Sequence, residues 1–147
     1  MIKLLSIFAL LLSSVVALGQ DKVTWTANYN AEDSTIVLHA DIAEGWHLYS
    51  QNLENDMGPI PTEITFSPNE LVTFSEETIE PEPKQSFDEN FGANLSYFEK
   101  SVDFTNKIIA QDTTTVNITV MYMICNDEMC LPPTEKTLTI TINKPLN

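Results

Sequence analysis

The sequence predicts an all-β fold, an antiparallel β-sandwich of immunoglobulin-like type. Three observations carry this. Apolar residues recur at every second position through most of the chain, the period of a strand with one buried face. Clusters of turn-forming residues interrupt that pattern at short intervals, at 43–45, 58–61, 67–70 and 80–84. Helical periodicity is nearly absent beyond residue 20. Short alternating strands at this spacing are the pattern of a sandwich.

The first 19 residues read as an export signal. "MIK" supplies one positive charge, and "LLSIFALLLSSVVAL" is an apolar run too short to span a bilayer comfortably. Ala17-Leu18-Gly19 then places small residues at the −3 and −1 positions of a signal-peptidase site. The mature chain is expected to begin near Gln20. Residues 20–147 then form one domain outside the cytoplasm, periplasmic or secreted, with no membrane-inserted segment after cleavage.

Within that domain Val23, Trp25, Ala27 and Tyr29 mark a first strand. Ile36, Leu38, Ala40 and Ile42 mark a second. Further strands are expected at 63–66, 71–74 and 101–109. Val116, Ile118, Val120, Tyr122 and Ile124 share one face of a strand expected to run unbroken to Cys125. Leu138, Ile140 and Ile142 alternate with threonines in the last strand. The acidic stretch at 75–90 shows no alternation and is expected to be a long surface loop.

The chain carries a formal net charge of −14, and its seven basic residues are all lysine. Such a surface repels phosphate backbones, which argues against nucleic acid as a partner. The acidity suits solubility outside the cytoplasm.

The two cysteines, Cys125 and Cys130, lie in "CNDEMCLPP". They flank a tight connection between strands, and facing positions in an antiparallel pair are close enough for a disulfide. A ring of about six residues stabilises by only about 2 kcal/mol, against about 4.7 for a ring of a hundred. A bond selected for stability links distant parts of the chain, so the small ring favours a redox role. A local staple remains open, and so does a metal clip. Zinc needs two further ligands, and the histidines are only His39 and His47. His39 sits on a polar strand face beside Asp41, where it reads as solvated. His47 is either a partly buried strand residue or a base for the thiols. No cofactor is implied.

These segments resemble a known family. "MYMICNDEMCLPPTEKTLTI" is similar to the active-site segment of the N-terminal periplasmic domain of the thiol:disulfide interchange protein DsbD. "EGWHLYSQNL" (44–53) resembles that family's segment with an aromatic-x-Tyr pair near the cysteines. "FDENFG" (87–92) resembles its acidic cap loop. The resemblance implies an immunoglobulin-like sandwich that carries reducing equivalents outside the cytoplasm. It implies a thioredoxin-like or membrane-embedded reductant upstream. Downstream it implies exported thioredoxin-fold clients, among them disulfide isomerases and cytochrome c maturation proteins. Carried over, Cys130 is the attacking thiol and Cys125 the resolving one. Tyr49 lines the site and Phe91 shields it, with Asp88 and Glu89 at its mouth. Four residues separate the cysteines where the family pattern has five. Asn90 takes the gapless position of the covering aromatic, and His47 stands where a tyrosine is expected. Asp127 and Glu128 between the cysteines disfavour a nearby thiolate, which suits a relay that reacts only when docked. A different class of function also fits: a β-sandwich interaction module whose turn disulfide is purely structural.

Overall fold

The computed structural model describes residues 21–53 and 58–144; the expected signal segment at 1–19 lies outside them. Every regular element among the described residues is a strand. None is a helix long and apolar enough to cross a membrane. The strands are β1 (Val23–Asn30), β2 (Thr35–Ile42), β3 (His47–Tyr49), β4 (Glu63–Phe66), β5 (Val72–Phe74) and β6 (Lys84–Asp88). They continue as β7 (Ala93–Phe98), β8 (Ser101–Ala110), β9 (Thr114–Tyr122), β10 (Ile124–Cys125) and β11 (Thr134–Ile142).

All strand pairs are antiparallel. One sheet has the order β1-β2-β8-β5, a second β10-β3-β7-β6 and a third β11-β9-β4. The first sheet packs against the other two. Trp25 of β1 lies 5.5 Å, ring to ring, from Tyr122 of β9, and Phe98 of β7 meets Phe104 of β8 edge to face at 5.9 Å. The core between the layers holds the residues that the period-2 pattern selects, including Ile36, Leu38 and Ala40 of β2 and Val116, Ile118 and Val120 of β9.

Two sequence expectations need correction. The strand from 114 does not run unbroken to Cys125. β9 ends at Tyr122, and the chain resumes as β10 in a different sheet, paired with β3. Ile124 keeps the core phase of Tyr122 through this change, so side-chain periodicity does not record it. The acidic stretch at 75–90 is not all loop. Ile79 forms a bridge with Thr105, and Lys84–Asp88 is the edge strand β6. Its residues Lys84 to Phe87 are all exposed, so no alternation announces it.

His39 is not simply solvated. Its Nδ1 lies 2.6 Å from Asp103 Oδ1 across the β2–β8 pair, and its Nε2 lies 3.3 Å from Asp41. The hydrogen bond to Asp103, aided by Asp41 and opposed by partial burial, raises its pKa. His39 and His47 occupy different sheets, and no cluster of three metal-ligating side chains forms among the described residues.

Candidate functional site

The sheet built from β10, β3, β7 and β6 has two apolar faces. Leu48, Phe98 and Ile124 point into the main core. On the opposite face Tyr49, Leu95 and Cys125 form a second, smaller buried cluster. Tyr97, Phe91, Ala93, Leu53, Met123 and Cys130 pack around it. Strand alternation explains the division: Leu48 faces one side of β3, and His47 and Tyr49 face the other.

Cys125 and Cys130 form a disulfide with Cα atoms 4.0 Å apart. Cys125 is fully buried, whereas Cys130 is partly exposed. The turn between them is organised by Asn126, whose Oδ1 accepts the amides of Glu128 and Met129 at 2.9 and 2.8 Å. The Asn126 amide donates to Met129 O, and the Leu131 amide closes the excursion on Ile124 O, both at 2.9 Å. An asparagine that turns the chain on its own side chain is a known turn signal, and Asn126 is a site residue that sequence reasoning passed over.

The loop joining β6 to β7 lies over this turn. Asp88 Oδ1 accepts the amides of Asn90 and Phe91 at 2.9 and 3.3 Å. The Gly92 amide donates to Asp88 O at 2.8 Å, and Gly92 has φ +64°, a left-handed conformation that glycine adopts without strain. Phe91 packs into the cysteine cluster and meets Tyr49 edge to face at 6.1 Å. Asn90 Nδ2 donates to Asn126 O at 3.1 Å, tying the loop to the cysteine turn.

The sequence places Asp88 and Glu89 together at the mouth. Both line one cavity in the structure, but they differ in burial. Glu89 is exposed, whereas the Asp88 side chain is 7% exposed and accepts a hydrogen bond of 2.6 Å from Tyr49 Oη. Burial pushes the Asp88 pKa up. The hydrogen bonds from Tyr49 and the two loop amides outweigh it and hold the carboxyl below its ordinary value. Burial, with Asp88 beside it, pushes the Tyr49 hydroxyl well above its usual range. His47 is paired with Cys125 in the β3–β10 register, and its Nε2 lies 3.1 Å from Tyr49 Oη. A cavity of about 320 Å³ beside the turn is lined by His47, Asp88, Glu89, Asn90, Asn126 and Asp127, among others. The structure thus brings the sequence-predicted site residues Cys125, Cys130, Phe91, Asn90, Asp88, Glu89, His47 and Tyr49 to one region.

Glu80 is a second residue that sequence reasoning missed. Its carboxylate accepts hydrogen bonds from Ser50 Oγ, the Gln51 amide and Asn52 Nδ2. It anchors the chain between Tyr49 and Leu53, both members of the cysteine cluster.

A family model described as thiol:disulfide interchange protein DsbD, N-terminal, matches residues 15–142. The chain belongs to this family. Three solved structures resemble it. The Neisseria meningitidis DsbD N-terminal domain in the reduced form is 14% identical with a TM-score of 0.62, over 84% of this chain and 87% of that one. The complex of the DsbD and PilB N-terminal domains from N. meningitidis gives 13% and 0.55, over 78% and 80%. The N-terminal periplasmic domain of ScsB from Proteus mirabilis gives 20% and 0.56, over 80% of this chain and 44% of that one. No curated protein matches the chain. At these identities the structural likeness establishes the fold, which is the immunoglobulin-like sandwich that the sequence predicts.

In this DsbD N-terminal-type domain the roles expected of Asn90 and Phe91 divide. Phe91 packs on the cysteine cluster, and Asn90 hydrogen-bonds the turn. Phe91→Ala is expected to quicken the reaction of the reduced protein with iodoacetamide by roughly tenfold, the factor given by ~1.4 kcal/mol of lost ring packing. Asn90→Ala, which removes one exposed hydrogen bond, is expected to do less. Equal rates in wild type and Phe91→Ala would show that this loop is no cap.

Proposed function

We propose that the domain is an extracytoplasmic thiol:disulfide exchange module that passes two electrons through Cys125 and Cys130 to exported client proteins. The observation that carries this reading is where the disulfide sits. It closes one turn on the outer face of a sheet, beneath a loop, and joins neither the two layers nor two distant strands. Its small ring contributes about 2 kcal/mol, so stability does not explain it. Membership of the DsbD N-terminal family supports the same reading.

The exchange balances as follows. The Cys130 thiolate attacks a client disulfide, forms a mixed disulfide and releases one client sulfur, which takes up a proton. Cys125 then loses its proton and attacks the Cys130 sulfur. The intramolecular disulfide closes, and the second client sulfur leaves to be protonated. The client gains two electrons and two protons, and a reductant upstream must return the pair to the dithiol. The partial exposure of Cys130 and the full burial of Cys125 fit attacker and resolver respectively. A complex between DsbD and PilB N-terminal domains in N. meningitidis supports a protein as client. Thioredoxin-fold clients, including those of cytochrome c maturation, and a thioredoxin-like or membrane-embedded reductant complete the proposal. So do a cleaved signal at 1–19, a single domain over 20–147, and a periplasmic or secreted location.

A redox titration tests it. A structural staple resists the glutathione pool, with a potential below roughly −300 mV, whereas an exchanging pair titrates higher. The expected result is a midpoint above that limit. In parallel, the double variant Cys125→Ala, Cys130→Ala is expected to stay folded and to lose about 2 kcal/mol. A midpoint below the limit, together with a double variant unfolded at room temperature, would favour the non-catalytic interaction module.

A further inference from the structure

The geometry points to His47 as the base that accepts the Cys125 proton when Cys125 resolves the mixed disulfide. This rests on the exchange reading above and adds to it a residue that the cysteines alone do not supply.

Tyr49 Oη lies 2.6 Å from Asp88 Oδ2. A carboxylate held ionised has no proton to give, so the phenol donates. The Tyr49 proton is thereby committed. In the 3.1 Å contact between Tyr49 Oη and His47 Nε2, the phenol oxygen must then accept and the imidazole must donate. Asp88 Oδ2, 3.4 Å from the same nitrogen, favours a hydrogen there as well. The neutral imidazole therefore carries its proton on Nε2, and the Nδ1 lone pair is free. Nδ1 forms no hydrogen bond among the described residues. A carboxylate that fixes the tautomer and orientation of a histidine, here partly through a phenol, is the arrangement that prepares an imidazole to act as a base.

The register supplies the thiol. His47 and Cys125 are direct cross-strand partners in β3 and β10, with side chains on the same face of the sheet. Side chains so opposed have Cβ atoms about 5 Å apart, within reach of proton transfer directly or through one water. His47 also lines the cavity that runs along the turn past Asn126 and Asp127.

The groups around His47 explain the need for a base. Across the sheet it meets Cys125; on its own strand, Tyr49; on β7, Tyr97 with ring centroids 5.2 Å away; and from the β6 end, Asp88. Glu89, Glu99 and Asp127 also line the cavity, Glu99 being paired with Lys84 Nζ at 2.6 Å. Carboxylates disfavour a thiolate nearby, so Cys125 does not ionise readily unaided. In the resolving step the Cys125 proton passes to Nδ1, the Cys125 sulfur bonds to the Cys130 sulfur, and the client sulfur departs and later takes up a proton.

The test uses reduced protein and 5,5′-dithiobis(2-nitrobenzoate). The first release of thionitrobenzoate marks formation of the mixed disulfide, and the second marks resolution by Cys125. In wild type the second phase is expected to accelerate with pH through a single titration step, that of its base. His47→Gln keeps a donor for Tyr49 Oη but has no base. It is expected to lose that step and to resolve at least about tenfold more slowly at neutral pH, a modest share of what general base catalysis contributes. An unchanged rate and pH profile in His47→Gln would overturn the proposal while leaving the exchange reading intact. Absence of a second release in wild type at any pH would overturn the exchange reading itself, and the proposal with it. A measurement that needs no variant is the ¹⁵N spectrum of the His47 ring in reduced wild type. A proton on Nε2 in the neutral form is expected, and one on Nδ1 would overturn the proposal.

Discussion

Cys125→Ala is expected to turn a transient mixed disulfide into one that accumulates, with complete loss of turnover. In the proposed exchange resolution is intramolecular, between sulfurs held at bonding distance in the oxidised state. Intramolecular attack of this kind carries an effective concentration orders of magnitude above that of any external thiol. Removing Cys125 leaves only slow external attack to free the client. Expressed in its native host, the variant should run as a reductant-sensitive adduct on a denaturing gel, bonded through Cys130. Cys130→Ala should trap nothing, because the remaining sulfur is fully buried. An adduct formed by Cys130→Ala instead would reverse the two roles. No adduct from either variant would remove the exchange reading and leave the disulfide a staple.

The parts of this protein that the sequence discloses are those governed by side-chain burial. Val116, Ile118, Val120 and Tyr122 alternate because one face of β9 meets the core, and that face is legible without coordinates. Hydrogen-bond partners leave no such trace. Ile124 stays in phase with β9 while its backbone pairs with Leu48 of β3, so the change of sheet just before Cys125 is silent in the pattern. That silent step places the disulfide on the outer face of a second sheet. β6 is silent for the opposite reason, since an edge strand whose first four residues are all exposed has no buried face to alternate. β3, three residues long, is too short to show a period at all. Within the site, the cysteines and the covering loop are visible as local segments. The inward turn of Asp88 is not, because one of the donors that satisfy the buried carboxylate, Tyr49 Oη, lies 39 residues away. Asn126 and Glu80 escaped notice similarly. Each acts by bonding backbone, and residue type alone does not name its partners.

Asp88→Ala is expected to weaken both the fold and the cover over the cysteines, because one carboxylate serves two tasks. It satisfies the Tyr49 hydroxyl, whose side chain is fully buried, and it holds the amides of Asn90 and Phe91 that shape the covering loop. Alanine removes the carboxylate to which the phenol donates, leaving His47 Nε2 at 3.1 Å as its remaining partner, and frees the loop. Losing these charge-assisted bonds costs about 2–3 kcal/mol, readable as a lower denaturation midpoint. The reduced variant should also react with iodoacetamide at least as fast as Phe91→Ala, since the whole loop is released and not one ring alone. Acid should reproduce part of this in wild type. The folded-state pKa of Asp88 lies below its ordinary 3.8, so its contribution to stability is present above the unfolded value and is lost as pH falls through the folded one. Asp88→Ala should lack that share of the acid limb. A double-mutant cycle with Tyr49→Phe isolates the bond, because phenylalanine keeps the edge-to-face packing on Phe91 and removes only the hydroxyl. The two changes should be clearly non-additive, with the double variant little worse than Asp88→Ala alone. Additive losses would show that Asp88 acts on the loop alone, and that the Tyr49 hydroxyl transmits nothing between the loop and the strand that carries His47.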